Sequence, residues 1–108
     1  MMPERIQLKR TKGWKMPPNT VIVSRPGRWG NPFPVTVWVP ADVAVSMFRH
    51  ELGAAMKRRV PESMWNVFDR MAANLHELRG KNLACWCKAG DTCHADVLLA
   101  VANSMEGR

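Results

Sequence analysis

The chain has 108 residues, which is most simply one domain with a single modest core. Its composition, 46% hydrophobic and 23% charged, is that of an ordinary globular protein, and no apolar run approaches the roughly 18 residues of a membrane span. The formal net charge of +7 points to anionic partners such as nucleotides, nucleic acid or other phosphates, although the same surplus would also serve solubility alone.

Residues 1–15 are basic, with LKRTK at 8–12, and 1–19 as a whole reads as an N-terminal arm or an edge strand. MPPN at 16–19 is a turn signal, and TVIVS at 20–24 is a short β-branched run that predicts a buried strand. RPGRWGNPFP follows at 25–34, and its three prolines and two glycines exclude regular structure. VTVWV at 35–39 can form another short strand, ended by Pro40. Residues 41–60 predict a helix with Asp42 in its first turn; Val43, Met47, Phe48, Leu52, Ala55 and Met56 recur at steps of three and four. A second helix is predicted over 62–78, with Met64, Phe68, Met71, Leu75 and Leu78 as its stripe and Gly80 just past its end. NLACWC at 82–87 is then a strand and KAGDT a loop. Residues 93–104 predict a last helix carrying Val97, Leu98 and Val101, with Met105 just beyond.

The two clearest strands, near 21–23 and 83–86, are joined through helices, so a parallel pairing with a right-handed crossover is expected. Residues 20–105 then form a small single α/β domain: a Rossmann-like parallel sheet flanked by helices. Such sheets bind ligands beyond the carboxyl ends of their strands, and both unusual loops leave such ends. They should therefore meet at one pocket.

All three cysteines fall in the segment LACWCKAGDTCHADVLLAV, beside His94 and Asp96. Strand alternation puts Leu83, Cys85 and Cys87 on one face. Cys93 and His94 stand where the last helix begins, with Thr92 as the expected N-cap. The unpaired N–H groups of a first turn favour a phosphate, and they favour a thiolate at Cys93 equally. Cys93, His94 and Asp96 are the catalytic candidates, as nucleophile and proton carriers; Cys87 and Thr92 would line the pocket. The plainer alternative is that Cys93 packs as a small apolar group, His94 is a surface or supporting residue, and Asp96 complements the helix dipole.

Cys85, Cys87, Cys93 and His94 could supply four zinc ligands. Adjacent Cys and His residues converge awkwardly at a helix start, however, and the paired C-x2-C knuckle is absent, so no cofactor and no tightly held zinc are expected, with Cys85 in the core. A Cys87–Cys93 disulfide is disfavoured because the polar, charged opening of the chain fits a reducing cytoplasm better than secretion. In the first loop, Arg25 and Arg28 are forks suited to phosphate, Gly30 permits close approach, Trp29 could stack on a base, and Asn31 could read an amide or base edge. The alternative there is a proline-braced turn in which Trp29 caps the core.

The joint occurrence of VIVSRPGRWGNPF and LRGKNLACWCKAGDTCHADVLLAVAN, spanning about 20–103, resembles DUF4326, a family of small uncharacterised domains common in bacteria and phages. The resemblance marks Arg25, Gly30, Asn31 and Pro32 in the first motif, and Gly80, Cys85, Cys87, Cys93, His94, Asp96 and Leu98 in the second. The segment KAGDT is slightly longer than the proline-containing link of that family. The second motif is also similar to the ending of another small α/β family, DUF488, which implies a strand–loop–helix ligand site and no more. Neither family name implies an activity. The residues themselves favour an enzyme or binder directed at a nucleotide, nucleoside or modified base. A basic nucleic-acid-binding module and a zinc-stabilised interaction domain are the alternatives.

Overall fold

The computed structural model of the protein describes residues 3–24, 27–58, 60–87 and 90–103. Three short strands, β1 (Arg5–Gln7), β2 (Thr20–Ile22) and β3 (Asn82–Cys85), form one sheet in the order β1-β3-β2. Both pairings are parallel. Arg5 lies opposite Leu83 on one side of β3, and Val21 lies opposite the same residue on the other. The ladder runs on past the strands: Leu8 donates to the Cys85 carbonyl at 2.8 Å and Val23 to the Ala84 carbonyl at 2.9 Å. The central strand is the one with a continuous apolar run, and Leu83, Ala84 and Cys85 are each 1% exposed or less. Burying Leu83 alone contributes about 1.5–3 kcal/mol.

The expected parallel pairing of the two clearest strands is therefore present, with the N-terminal segment as a third, outer strand. Two strand expectations change. TVIVS holds an edge strand and not a buried one: Val23 is fully buried but Ile22 is 49% exposed. VTVWV is not a strand. Thr36 and Val39 exchange backbone hydrogen bonds, and the Thr36 hydroxyl accepts from Trp38 and Val39, which closes a tight turn that leaves Val37 and Trp38 in solvent.

Three α-helices are present among the described residues: α1 (Ala41–Lys57), α2 (Val67–Asn74) and α3 (His94–Asn103). Helix α1 begins after Pro40 with Asp42 in its first turn, and it ends three residues short of the expected boundary. Its buried face is Ala44, Val45, Phe48, Leu52 and Ala55, rotated from the expected stripe so that Val43 and Met47 stay exposed. The single helix expected over 62–78 is divided. A 3-10 turn spans Glu62–Met64, and a new helix begins after its cap Asn66, whose side chain accepts from Asp69 N at 3.0 Å while the Asp69 carboxylate accepts from Asn66 N at 2.9 Å. Arg58 Nε donates to the same Asp69 carboxylate at 2.7 Å and holds the end of α1 against this cap. Met64, before the break, is exposed, whereas Phe68, Met71, Leu75 and Leu78 enter the core as expected. A 3-10 turn over Leu75–Leu78 ends the segment, and Gly80 has φ +75 two residues later, the left-handed position expected of it.

The core joins these parts: Phe48 and Leu52 of α1, Phe68 and Met71 of α2, Leu83 and Cys85 of β3, and Val97 and Leu98 of α3. Phe48 meets Phe68 edge-on with ring centroids 5.7 Å apart. No helix is long and apolar enough to cross a membrane among the described residues.

Candidate functional site

The three cysteines converge where β3 ends and α3 begins. Their Sγ atoms lie within 4.8 Å of one another, and Cys85 Sγ is 3.0 Å from Cys93 Sγ. Helix α3 starts at His94, one residue later than expected, so Cys93 and not Thr92 occupies the capping position. Its carbonyl accepts from Asp96 N at 3.1 Å, and its sulfur accepts from the Ala95 N–H. The helix start thus favours a negative charge on the side chain of Cys93 itself.

The electrostatics follow from that arrangement. The Cys93 thiol is drawn well below the free-thiol value of about 8.5, first by the hydrogen bond from Cys85, with His94, the Ala95 N–H and Cys87 adding to it against the opposing effect of burial. The Cys85 thiol is pushed up, chiefly because it donates to Cys93 and also because it is buried. Cys87 is pushed up by burial first and by its hydrogen bond to Cys93 second. These hydrogen bonds favour a negative charge on Cys93 over one on Cys85 or Cys87. Three thiols so spaced could also hold a soft metal ion, whose bonds to sulfur run about 2.3 Å.

His94 is buried, and not the surface residue that the plainer sequence reading allowed. Its Nε2 lies 2.7 Å from the Val23 carbonyl, and its ring meets Phe48 edge-on at 5.4 Å. A carbonyl only accepts, so Nε2 carries the hydrogen. That leaves Nδ1 facing Cys93 Sγ at 3.8 Å. The second motif supplies the ring, and the backbone of the first motif sets its tautomer.

A cavity of about 280 Å³ opens beside these groups. Cys85, Cys87, Thr92, Cys93 and His94 form one side of it, and Ser24, Asn31 and Phe33 another. The two motifs thus share a cavity, but not through all the residues expected. Asn31 is present with its amide already occupied: Nδ2 donates to the Ala44 carbonyl at 3.1 Å and Oδ1 accepts from Phe33 N at 2.9 Å. Gly30 is buried and donates to the Gly27 carbonyl at 3.0 Å, which closes a tight turn. Trp29 is 5% exposed and packs into the core, so it offers no open face for stacking. Arg28 lies over the Trp29 ring at 5.1 Å and pairs with Glu77, whose carboxyl that hydrogen bond holds below its usual range. Arg28 and Trp29 line a different cavity with Arg70 and Asn74, away from the cysteines. Arg25 lies outside the described residues.

Asp96 is half-exposed and does not line the cysteine cavity. It faces neither the thiols nor a first-turn N–H; its Oδ2 accepts from Arg5 at 3.0 Å. The same guanidinium donates to the Asp91 carbonyl at 2.8 Å, tying β1 to the start of α3. Arg5 was not a sequence candidate. The signal that could have found it is the basic N-terminal stretch, once parallel pairing with β3 places it beside the cysteine loop.

No curated protein and no solved structure matches the chain. One family does, over residues 6–104 of the 108, and its description is "Domain of unknown function". That match takes in both motifs, the three strands and the helices between them, except for the outermost residue of β1. The chain belongs to the DUF4326 family.

Proposed function

We propose that the protein is a thiol-dependent enzyme or binder in a Rossmann-like domain, acting on a small electrophilic ligand of nucleoside or modified-base size in the cavity beside Cys93. The observation that carries this reading is a single arrangement. A cysteine at a helix start receives hydrogen bonds from Cys85 and the Ala95 N–H, faces the acceptor nitrogen of an oriented histidine, and borders a cavity. In a reaction, Cys93 Sγ would form a bond to an electrophilic carbon. Nδ1 of His94 would take the thiol proton and return it to the leaving group. Phosphate has a weaker place in this reading than the loop arginines first suggested. Arg28 is engaged elsewhere, and the first-turn N–H groups already serve the sulfur and carbonyl of Cys93. A nucleoside or base is therefore favoured over a nucleotide.

The test is the pH dependence of alkylation, followed residue by residue by mass spectrometry. The protein is compared with Cys93→Ser, with and without nucleosides. Cys93 is expected to react near neutral pH, well below the free-thiol midpoint of about 8.5, and to be protected by a fitting ligand. Reaction no faster than a free thiol, with no protection, would make the site structural. One further observation favours a second reading: the three clustered sulfurs would also suit a structural zinc ion. Metal content decides it, since about one equivalent of zinc, lost on changing Cys85 or Cys87, would displace the nucleophile reading.

A further inference from the structure

We infer that Cys85 is the resolving partner of Cys93, so that oxidation of Cys93 by a hydroperoxide ends in a reversible Cys85–Cys93 disulfide. The inference rests on the reading of Cys93 as the reactive thiol, and it assigns a modification site that the proposed function does not require. Its basis is proximity. The two sulfurs are 3.0 Å apart, and a disulfide needs about 2.05 Å, a closure of roughly 1 Å. Both cysteines are only 1% exposed, yet both border the cavity. Hydrogen peroxide is small enough for this cavity of about 280 Å³.

The chemistry closes without an unnamed reactant. The Cys93 thiolate attacks one oxygen of the hydroperoxide, and two electrons leave sulfur as the O–O bond breaks. The other oxygen takes up a proton and departs as an alcohol, or as water when the oxidant is hydrogen peroxide. The Cys93 sulfenic acid that remains is attacked by Cys85 sulfur. The S–S bond forms, the S–O bond breaks, and the hydroxyl leaves with the Cys85 proton as water. A dithiol reductant returns both residues to thiols and is itself oxidised to a disulfide. In the resting protein the 3.0 Å contact with Cys93 favours the thiol form of Cys85. Cys85 lies mid-core on β3 and Cys93 caps α3, so the bond would lock the strand–helix junction and withdraw Cys93 from the cavity until it is reduced.

The experiment treats the full chain with hydrogen peroxide at one to a few equivalents, blocks remaining thiols in acid, and maps the unreduced digest by mass spectrometry. The expected product is a peptide pair linked through Cys85 and Cys93, restored to free thiols by a dithiol. In Cys85→Ser, whose hydroxyl can still donate to Cys93, the irreversible sulfinic form of Cys93 should rise several-fold, and in Cys85→Ala the alkylation midpoint of Cys93 should also move to higher pH. The mapping of the wild-type chain stands even where a variant fails to fold. A link through Cys87 in place of Cys85, or accumulation of sulfinic Cys93 in the wild type with no link, would overturn the inference. Fast alkylation of Cys93 with no Cys85–Cys93 bond removes the inference and leaves the proposed function standing. Inertness of Cys93 to both reagents removes both.

Discussion

The sharpest consequence of the site geometry concerns His94. In His94→Phe the ring keeps nearly its volume and its edge contact with Phe48 at 5.4 Å, so little cavity is created. What is lost is the hydrogen bond from Nε2 to the Val23 carbonyl, 2.7 Å long and buried. Stripping a buried carbonyl of this partner costs about 1–3 kcal/mol. For a domain of about 100 residues each kcal/mol moves Tm by roughly 4–8 °C, so a fall of roughly 5–20 °C is expected. Thermal unfolding followed by circular dichroism measures it. The same variant removes Nδ1 from the neighbourhood of Cys93 Sγ, so the midpoint of the Cys93 alkylation profile should move to higher pH while Cys85 still donates to that sulfur. An unchanged Tm would refute the claim that the first motif anchors this ring. An unchanged alkylation profile would refute its pairing with Cys93.

Two other outcomes follow from the same structure. Trp29→Ala should destabilise the domain by about 3–5 kcal/mol in a denaturant titration, because Trp29 is buried in the core, while Arg28→Ala should leave the midpoint near that of wild type; a mild Trp29→Ala would return Trp29 to the surface. The Asp69 carboxyl is held below its usual range, first by Arg58 and then by the Asn66 N–H, so its contribution is present above the unfolded carboxylate value of about 3.9 and is lost as pH falls through the lower folded value. Asp69→Asn should therefore lose less stability than wild type on acidification below about pH 4, and identical acid limbs would discount the pair.

The parallel α/β arrangement was legible because the apolar runs at 20–24 and 82–87 were separated by helical periodicity. The third strand was legible only as one of two readings of 1–19, an arm or an edge strand, since RIQ carries only one strongly apolar residue and gains its place by pairing with β3. The failure at VTVWV has a local cause. Its β-branched residues satisfy a strand pattern, but the Thr36 hydroxyl captures two backbone N–H groups and closes the chain into a turn. The break in the second helix was written as N-x-x-D at 66–69, a capping box hidden inside an apolar stripe that continued on both sides of it. The face of α1 was misjudged by part of a turn for a related reason: periodicity gives the width of an apolar stripe, whereas the neighbouring elements choose which edge of it they cover.

At the site, the sequence placed Cys85 in the core, Cys87 beside it and Cys93 at a helix start, because strand alternation and helix entry are local rules. It did not place the long-range partners. Val23 lies 71 residues from His94, and Arg5 lies 91 residues from Asp96; both contacts exist only because β1 and β2 flank β3 in register. This accounts for the coupling of the two motifs in one chain. The first motif reaches the cysteines through the Val23 carbonyl and through the fold of Asn31 around Ala44 and Phe33. Its side chains Arg28 and Trp29 serve the core and the Glu77 pair on another face. A carbonyl carries no residue identity, so no reading of residue types could have selected it. Yet its acceptance of the Nε2 hydrogen decides which ring nitrogen is left to face Cys93.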